Sequence, residues 1–200
     1  MQAPTLIQIQ LFQFTVARIV LTTWGSYGDI NPYMGLALGL KARGHEPVLA
    51  APDYYRGLAE SERITFHPVR PEIDPADSEI VARVMHPRHG PEVILRELML
   101  PSVEEAYQDL HQAVSEADLL VSHPITFAAP VLAHKTGIPW VSSVLAPISF
   151  FSAHDFPVLP FAPFLKGLER LGPWVGPLLS RLARHSTRNW STPVYNFRTK

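Results

Sequence analysis

Between Arg18 and Val69 the sequence passes through three short apolar runs, 18-RIVLTTW-24, 46-EPVLAA-51 and 64-ITFHPV-69, separated by two helix-like segments with almost no chain to spare. This alternation constrains the fold more than any other feature. Strand, helix, strand, helix, strand with short connections reads as an α/β protein, in which parallel strands are joined by right-handed crossovers. The first run has the β-branched and apolar content of a buried strand. Asn31 followed by Pro32 reads as a helix start, since Asn caps well and Pro suits the first helical position. That helix is expected to run to about Arg43 and stop at Gly44. A short helix is expected over 53–63.

The middle is looser. The prolines and aspartates of 70–78 predict a loop. Helical spacing extends over 91–117, with Pro101 marking a kink or break. Then come a strand at 118–122, a helix over 126–136 closed by Gly137, and a strand over 138–144. Residues 146–164 are rich in aromatics and proline and read as irregular, and 165–185 as broken amphipathic helix.

Two hundred residues suit one domain with a sizeable core. The net charge of −1 points to no nucleic-acid partner. Charge is uneven, however: from Pro160 to Lys200 there are seven Lys/Arg and one acid, Glu169. Such a tail suits a solvated helix face, or an acidic partner, a lipid surface or a second domain. Without cysteine there is no disulfide, zinc thiolate or cysteine nucleophile, which fits a reducing, cytoplasmic setting. No apolar run reaches the ~18 residues of a membrane span. Residues 1–17 are uncharged and read as an extension, either a strand or disordered, ahead of a domain over 18–200.

Ligands of open parallel sheets sit beyond the carboxyl ends of the strands. Two polar loops leave strands at that edge, 25-GSYGDIN-31 and 122-SHPIT-126, which brings Asp29 and His123 toward one crevice. Asp29 could cap a helix, shape a phosphate loop, or accept a proton. The phosphate role lacks the lysine and Ser/Thr of a P-loop, and Gly25 and Gly28 alone do not make a dinucleotide fingerprint. A carboxylate is ionised at neutral pH but weakly basic, so it accepts a proton only from a hydroxyl that turns acidic late in a reaction. A neighbouring imidazole could orient it or share the proton; alternatively His123 is simply a loop histidine before a proline. His86 and His89 stand three apart, but Pro87 breaks any helix there and no third metal ligand is evident. The serines lack a nucleophile elbow.

From Arg18 on, the pattern resembles the N-terminal domain of GT-B glycosyltransferases, closest to the glycosyltransferase family 28 N-terminal domains and the macrolide, sterol and glycopeptide glucosyltransferases related to them. The residues that carry this are 25-GSYGDINPYMGLALGLKARGHEPVLAAP-52 and 118-DLLVSHPITFAAPVLAHKTGIPWVSSVLAP-147. Residues 25–52 resemble the family's G-x-x-G-(D/H)-x-x-P loop with its helix, R-G-H and second strand. Residues 118–147 resemble its late strand, helix, G-I-P and strand. The end, 193-PVYNFRTK-200, is similar to a further helix of that domain.

The resemblance implies a Rossmann-like parallel sheet with helices on both faces. It also implies inverting transfer of a hexose from a nucleotide sugar (UDP- or dTDP-linked) to a hydroxyl of a lipid, sterol or natural product, with no cofactor or metal. Many relatives carry histidine at the position of Asp29 and a carboxylate at that of His123; here the two types are exchanged, so Asp29 leads as base with His123 as partner. Ser26, Tyr27, Ile30, Phe127, Phe150, Phe151 and Phe156 are the expected acceptor-binding residues, with Gly25 and Gly28 shaping the loop. The family's donor-domain motifs, an H-x-G-x-G-T-type loop and a D-Q pair, do not occur in these 200 residues. The chain is therefore expected to be truncated and inactive alone, with a C-terminal donor domain as partner and peripheral membrane contact through the tail. A non-catalytic module of the same fold and a different nucleotide-dependent α/β enzyme are the competing readings.

Overall fold

The computed structural model describes residues 15–74, 77–146, 167, 172, 174–186 and 188–199. Five parallel strands form one sheet in the order β3-β2-β1-β4-β5. They are β1 (Arg18–Thr22), β2 (Glu46–Ala51), β3 (Thr65–Pro68), β4 (Leu119–Ser122) and β5 (Trp140–Ser142). In the centre Val20 lies opposite Val48 on one side and Leu120 on the other.

Alternate side chains of a strand face opposite sides of the sheet, and two cores follow. Ile19, Leu21, Leu49 and Val121 pack with Ile30, Tyr33, Met34 and Ala37 of α1 (Tyr27–Ala42) and Ala59 of α2 (Arg56–Ser61). Val20, Val48, Ala50 and Leu120 pack on the other face with Val103, Ala106 and Leu110 of α5 (Val103–Ala113) and Ala128 and Leu132 of α6 (Ala128–Thr136). Helix α8 (Thr192–Thr199) joins this second core through Val194 and Phe197, whose ring meets Tyr107 at 5.0 Å. The doubly covered parallel sheet agrees with the sequence.

The largest correction is at the start of α1. The helix begins at Tyr27, capped by Ser26, not at Asn31. A capping box outcompetes the Asn–Pro signal, because Ser26 and Asp29 satisfy each other's backbone donors. Pro32 then lies within the helix, where the ladder bond it removes is the one to the Gly28 carbonyl.

Other boundaries shift too. The 53–63 helix is a 3-10 turn, Asp53–Tyr55, leading into α2. A helix not expected from the sequence, α3 (Ser78–Val84), is capped by Asp77; none of its residues is fully buried, which leaves its apolar periodicity faint. The 91–117 helix is three pieces, α4 (Gly90–Glu92), a π-helix over Val93–Met99, and α5 after the break at Pro101. Strand β5 is shorter than 138–144. Gly137 closes α6 with φ +75°, as a left-handed helix cap requires. The amphipathic tail contains α7 (Val175–Ser186). The 1–17 extension up to residue 14 lies outside the described residues.

Candidate functional site

Because β1 is flanked by both β2 and β4, the chain leaves β1 toward one side and β4 toward the other. A crevice opens where those connections diverge. The loop after β1 carries Gly25 and Ser26 and leads into the first turn of α1, which carries Asp29; the loop after β4 carries His123. Backbone pairing brings the two together, since the His123 N–H donates to the Thr22 carbonyl at 2.9 Å.

Asp29 is the third residue of α1. Its Oδ2 accepts from the Ser26 N–H at 2.9 Å and from the Ser26 hydroxyl at 3.2 Å, while Ser26 Oγ accepts from the Gly28 N–H at 3.2 Å. Both hydrogen bonds to the carboxylate among the described residues fall on Oδ2, so Oδ1 takes no part in the cap. Gly25 makes this possible. Its φ is +138°, and a Cβ there would stand 2.3 Å from Asp29 Oδ2. The glycine thus clears the space in which the carboxylate folds back. Two roles that the sequence left as alternatives, helix cap and cleft-facing carboxylate, coexist in one side chain.

His123 is half-buried and opens a turn in which its carbonyl accepts from the Thr126 hydroxyl at 2.6 Å. Its Nδ1 accepts a long hydrogen bond from the Ile125 N–H at 3.5 Å, which leaves the neutral ring's proton on Nε2. Burial pushes the imidazole below its ordinary pKa, and the opposing pull of the Asp29 carboxylate offsets only part of this. The ring is therefore neutral at physiological pH. Tyr33 stands edge-on to it at 6.4 Å, and its own hydroxyl, pushed up to about 12 by burial, donates to the Ser143 carbonyl at 3.4 Å.

Asp29 and His123 line one cleft of about 520 Å³. Its walls are apolar: Trp24 and the three tyrosines Tyr27, Tyr54 and Tyr55 on one side, and Val81, Val84, Met85 and Ile94 on the other. Two hydrogen bonds brace the mouth. The Trp24 indole N–H donates to the Pro71 carbonyl at 2.8 Å, and the Tyr55 hydroxyl donates to the Gly25 carbonyl at 2.8 Å.

Of the residues expected from sequence, the structure brings Gly25, Ser26, Tyr27, Asp29 and His123 into this cleft. Gly28 sits beside them in the first turn of α1. Two expectations are corrected. Ile30 is 0% exposed and belongs to the core, because the capping box turns that position of α1 toward the sheet. Phe127 packs against the second core at the foot of α6 and does not line the cleft. Phe150, Phe151 and Phe156 lie outside the described residues. Sequence reasoning missed Trp24, Tyr54, Tyr55 and the wall from α3. Aromatics within a few residues of a strand end, as in 51-APDYY-55, were the available signal. The His86 and His89 rings stack at 4.9 Å, yet among the described residues no three His/Cys/Asp/Glu side chains gather as a metal site. No helix among the described residues is long and apolar enough to cross a membrane.

Comparisons with known proteins bear on this arrangement. The family model of the glycosyltransferase family 28 N-terminal domain matches residues 19–139, taking in all of 25–52 and most of 118–147. The chain is 34% identical over 184 residues to the O-mycaminosyltylonolide 6-deoxyallosyltransferase of Streptomyces fradiae, covering 86% of this chain and 40% of that protein. It is 29% identical over 133 residues to a sterol 3-beta-glucosyltransferase of Glomerella lagenarium, covering 65% of this chain and 9% of that one. Among solved structures, the calicheamicin glycosyltransferase superposes with a TM-score of 0.52 at 16% identity, over 92% of this chain and 46% of that. A glycosyltransferase of Streptomyces sp. SF2575, complexed with thymidine diphosphate, gives 0.50 at 20%, over 76% and 43%. The structural likeness establishes the fold, the N-terminal half of a GT-B architecture. The chain spans less than half the length of each of these proteins.

Proposed function

The chain belongs to the glycosyltransferase family 28 N-terminal domains, and on that premise we propose that it is the acceptor-binding half of an inverting hexosyltransferase. One observation carries the reading: a carboxylate and a neutral imidazole converge, at the switch point of the sheet, on a single apolar-walled cleft. The donor is a nucleotide sugar, UDP- or dTDP-linked, held mainly by a C-terminal domain of the same fold. The acceptor is a hydroxyl on an apolar molecule such as a macrolide, sterol or lipid, in keeping with the substrates named for the relatives.

In this mechanism the acceptor lies along the apolar walls with its hydroxyl at Asp29. The hydroxyl oxygen attacks the anomeric carbon, the bond from that carbon to the diphosphate oxygen breaks, and the proton passes to Asp29 Oδ1. A carboxylate is a weak base, so the transfer comes late, when the alcohol has become acidic. Ser26 holds Oδ2 and so fixes the carboxylate's orientation. The His123 Nε2–H donates to the acceptor oxygen or the carboxylate and positions the pair. Acceptor binding resides in these 200 residues, whereas turnover requires the donor domain as well.

The test uses the protein that carries this domain. Transfer of labelled hexose to a sterol or macrolactone is measured beside Asp29→Asn, with acceptor affinity followed separately. The substitution keeps a side-chain oxygen for the Ser26 cap but removes the charge. The expected outcome is a fall of about 10²–10⁴ in kcat with acceptor affinity unchanged. Undiminished transfer overturns the role of Asp29.

One observation favours a second reading. Because the Asp29 carboxylate already serves the helix cap, a non-catalytic module of this fold, recruiting a catalytic partner, is also consistent with it. Such a module tolerates Asp29→Asn without loss. Helix α7 supports peripheral contact with an anionic lipid surface, since Trp174, Leu178 and Leu182 are exposed one turn apart beside Arg181 and His185. Flotation with vesicles with and without anionic lipid tests this.

A further inference from the structure

At the rim of the cleft three tyrosines stand nearly perpendicular to one another. The planes of Tyr27 and Tyr54 cross at 70°, those of Tyr27 and Tyr55 at 87°, and those of Tyr54 and Tyr55 at 89°; their centroids lie 6.5, 5.4 and 5.1 Å apart. Tyr55 is 6% exposed and forms a fixed floor, locked by its hydroxyl to the Gly25 carbonyl at 2.8 Å. Tyr27 and Tyr54 are each 52% exposed and form walls open to a ligand. At these angles and separations the rings meet edge to face, a packed cluster in which Tyr55 is buried and Tyr27 and Tyr54 keep surface open to the cleft. A group seated against the open surface of Tyr27 or Tyr54 comes within the ~6 Å of a ring centroid over which an aromatic face attracts a cation.

The charge around this corner points the same way. Among the described residues that line the cleft there is one carboxylate, Asp29, and no lysine or arginine. The nearest guanidinium of the neighbouring helix, Arg56, is committed elsewhere: it pairs with Asp53 at 2.5 Å and lies over the Phe66 ring at 4.9 Å. An apolar-walled cleft with one negative charge and no fixed cation disfavours an anion and favours a cation, because the low-dielectric walls leave the carboxylate's field poorly screened.

We infer that the exposed Tyr27 and Tyr54, backed by the buried Tyr55, form an ammonium-binding corner beside Asp29, and that the acceptor of this protein carries a protonated or quaternary amine near the hydroxyl to be glycosylated. This deepens the proposed function and rests on it. The amine seats in the corner, its methyl or methylene groups against the ring faces, while the apolar remainder extends toward Val84 and Met85. The corner thereby selects amine-bearing acceptors over neutral ones of the same shape, and it fixes which end of the acceptor lies nearest Asp29.

The test uses a matched pair of probes, benzyltrimethylammonium and its uncharged carbon isostere neopentylbenzene, which differ in charge but hardly in shape. Each is titrated into the chain by NMR, with the His123 and Ile125 resonances reporting on the cleft. The expected result is about tenfold tighter binding of the cation. That preference is lost in Tyr54→Leu and kept in Tyr54→Phe, which preserves the ring face; the half-exposed position makes either change compatible with folding. Equal affinities, or a preference that survives Tyr54→Leu, overturn the inference. Equal binding of both probes in the cleft leaves the acceptor-site reading standing, whereas failure of both to perturb the cleft overturns the two together.

Discussion

Replacing Gly25 by alanine tests the local logic of the site. Two separate costs arise. The residue has φ +138°, beyond the left-handed helical region, a conformation that costs an L side chain about 1–3 kcal/mol. The added Cβ would also lie 2.3 Å from Asp29 Oδ2 and 2.7 Å from its Cγ, so the carboxylate must leave the Ser26 N–H. Losing that cap costs about 1 kcal/mol more. The total is about 2–4 kcal/mol. Gly44→Ala supplies the control, because Gly44 has φ +84° but nothing within 4 Å of its would-be Cβ. It carries only the backbone cost of a conformation nearer the left-handed helical region, about 1–2 kcal/mol, so the coupling between positions 25 and 29 isolates the carboxylate's share. Urea denaturation of both variants is therefore expected to place Gly25→Ala below Gly44→Ala by about 1 kcal/mol or more. The excess shrinks when Asp29 is also changed to alanine, since most of the clashing side chain is then gone. Equal destabilisation of the two glycine variants, or no coupling between positions 25 and 29, refutes the claim that Gly25 exists to admit the folded-back carboxylate.

Other predictions bear on the cleft and its surroundings. The His123 ring, followed by NMR, is expected to titrate below 6.5, and lower still in Asp29→Asn, which removes the attraction opposing its burial; an unchanged value places the two groups out of each other's field. Because the folded-state pKa is depressed, the unfolded chain binds more protons between that value and 6.5. The stability that His123 contributes is therefore fully present above pH 6.5 and is lost as pH falls through the folded value, which denaturation across that range reads directly. Met85→Arg, at a side chain 74% exposed, is expected to leave the unfolding midpoint unchanged while weakening apolar acceptor binding several-fold in equilibrium dialysis. Ile30→Ala is expected to cost about 2–5 kcal/mol in stability with little effect on acceptor affinity in the folded fraction, since the side chain lies in the core.

The sheet was legible in the sequence because its strands are short apolar runs bounded by glycine and proline, a signal that local composition carries well. The two loops at its carboxyl edge were legible for the same reason, once parallel crossovers were inferred. The start of α1 was not, because two valid local signals compete: Ser26–Asp29 and Asn31–Pro32 each mark a helix start, and only the three-dimensional reciprocity of the first decides. Ile30 was misplaced as a consequence, since moving the helix start fixes which positions face the sheet. Helix α3 left a faint trace because none of its residues is fully buried, whereas Val93–Met99 read as ordinary helix, its wider π turn not being distinguished by residue spacing. The tyrosine corner was out of reach for a different reason. Tyr27 opens α1 after β1, Tyr54 and Tyr55 lie in the 3-10 turn after β2, and their perpendicular meeting depends on the register of two strands.

Catalysis at this site requires that an acceptor hydroxyl reach Asp29 within the cleft. The structure of this domain with an apolar alcohol bound measures it most directly. The hydroxyl oxygen is expected about 2.6–3.2 Å from Asp29 Oδ1, with the His123 Nε2–H within reach of the same pair. An alcohol seated elsewhere, or in the cleft with its hydroxyl turned away from a carboxylate that stays bound only to Ser26, contradicts it.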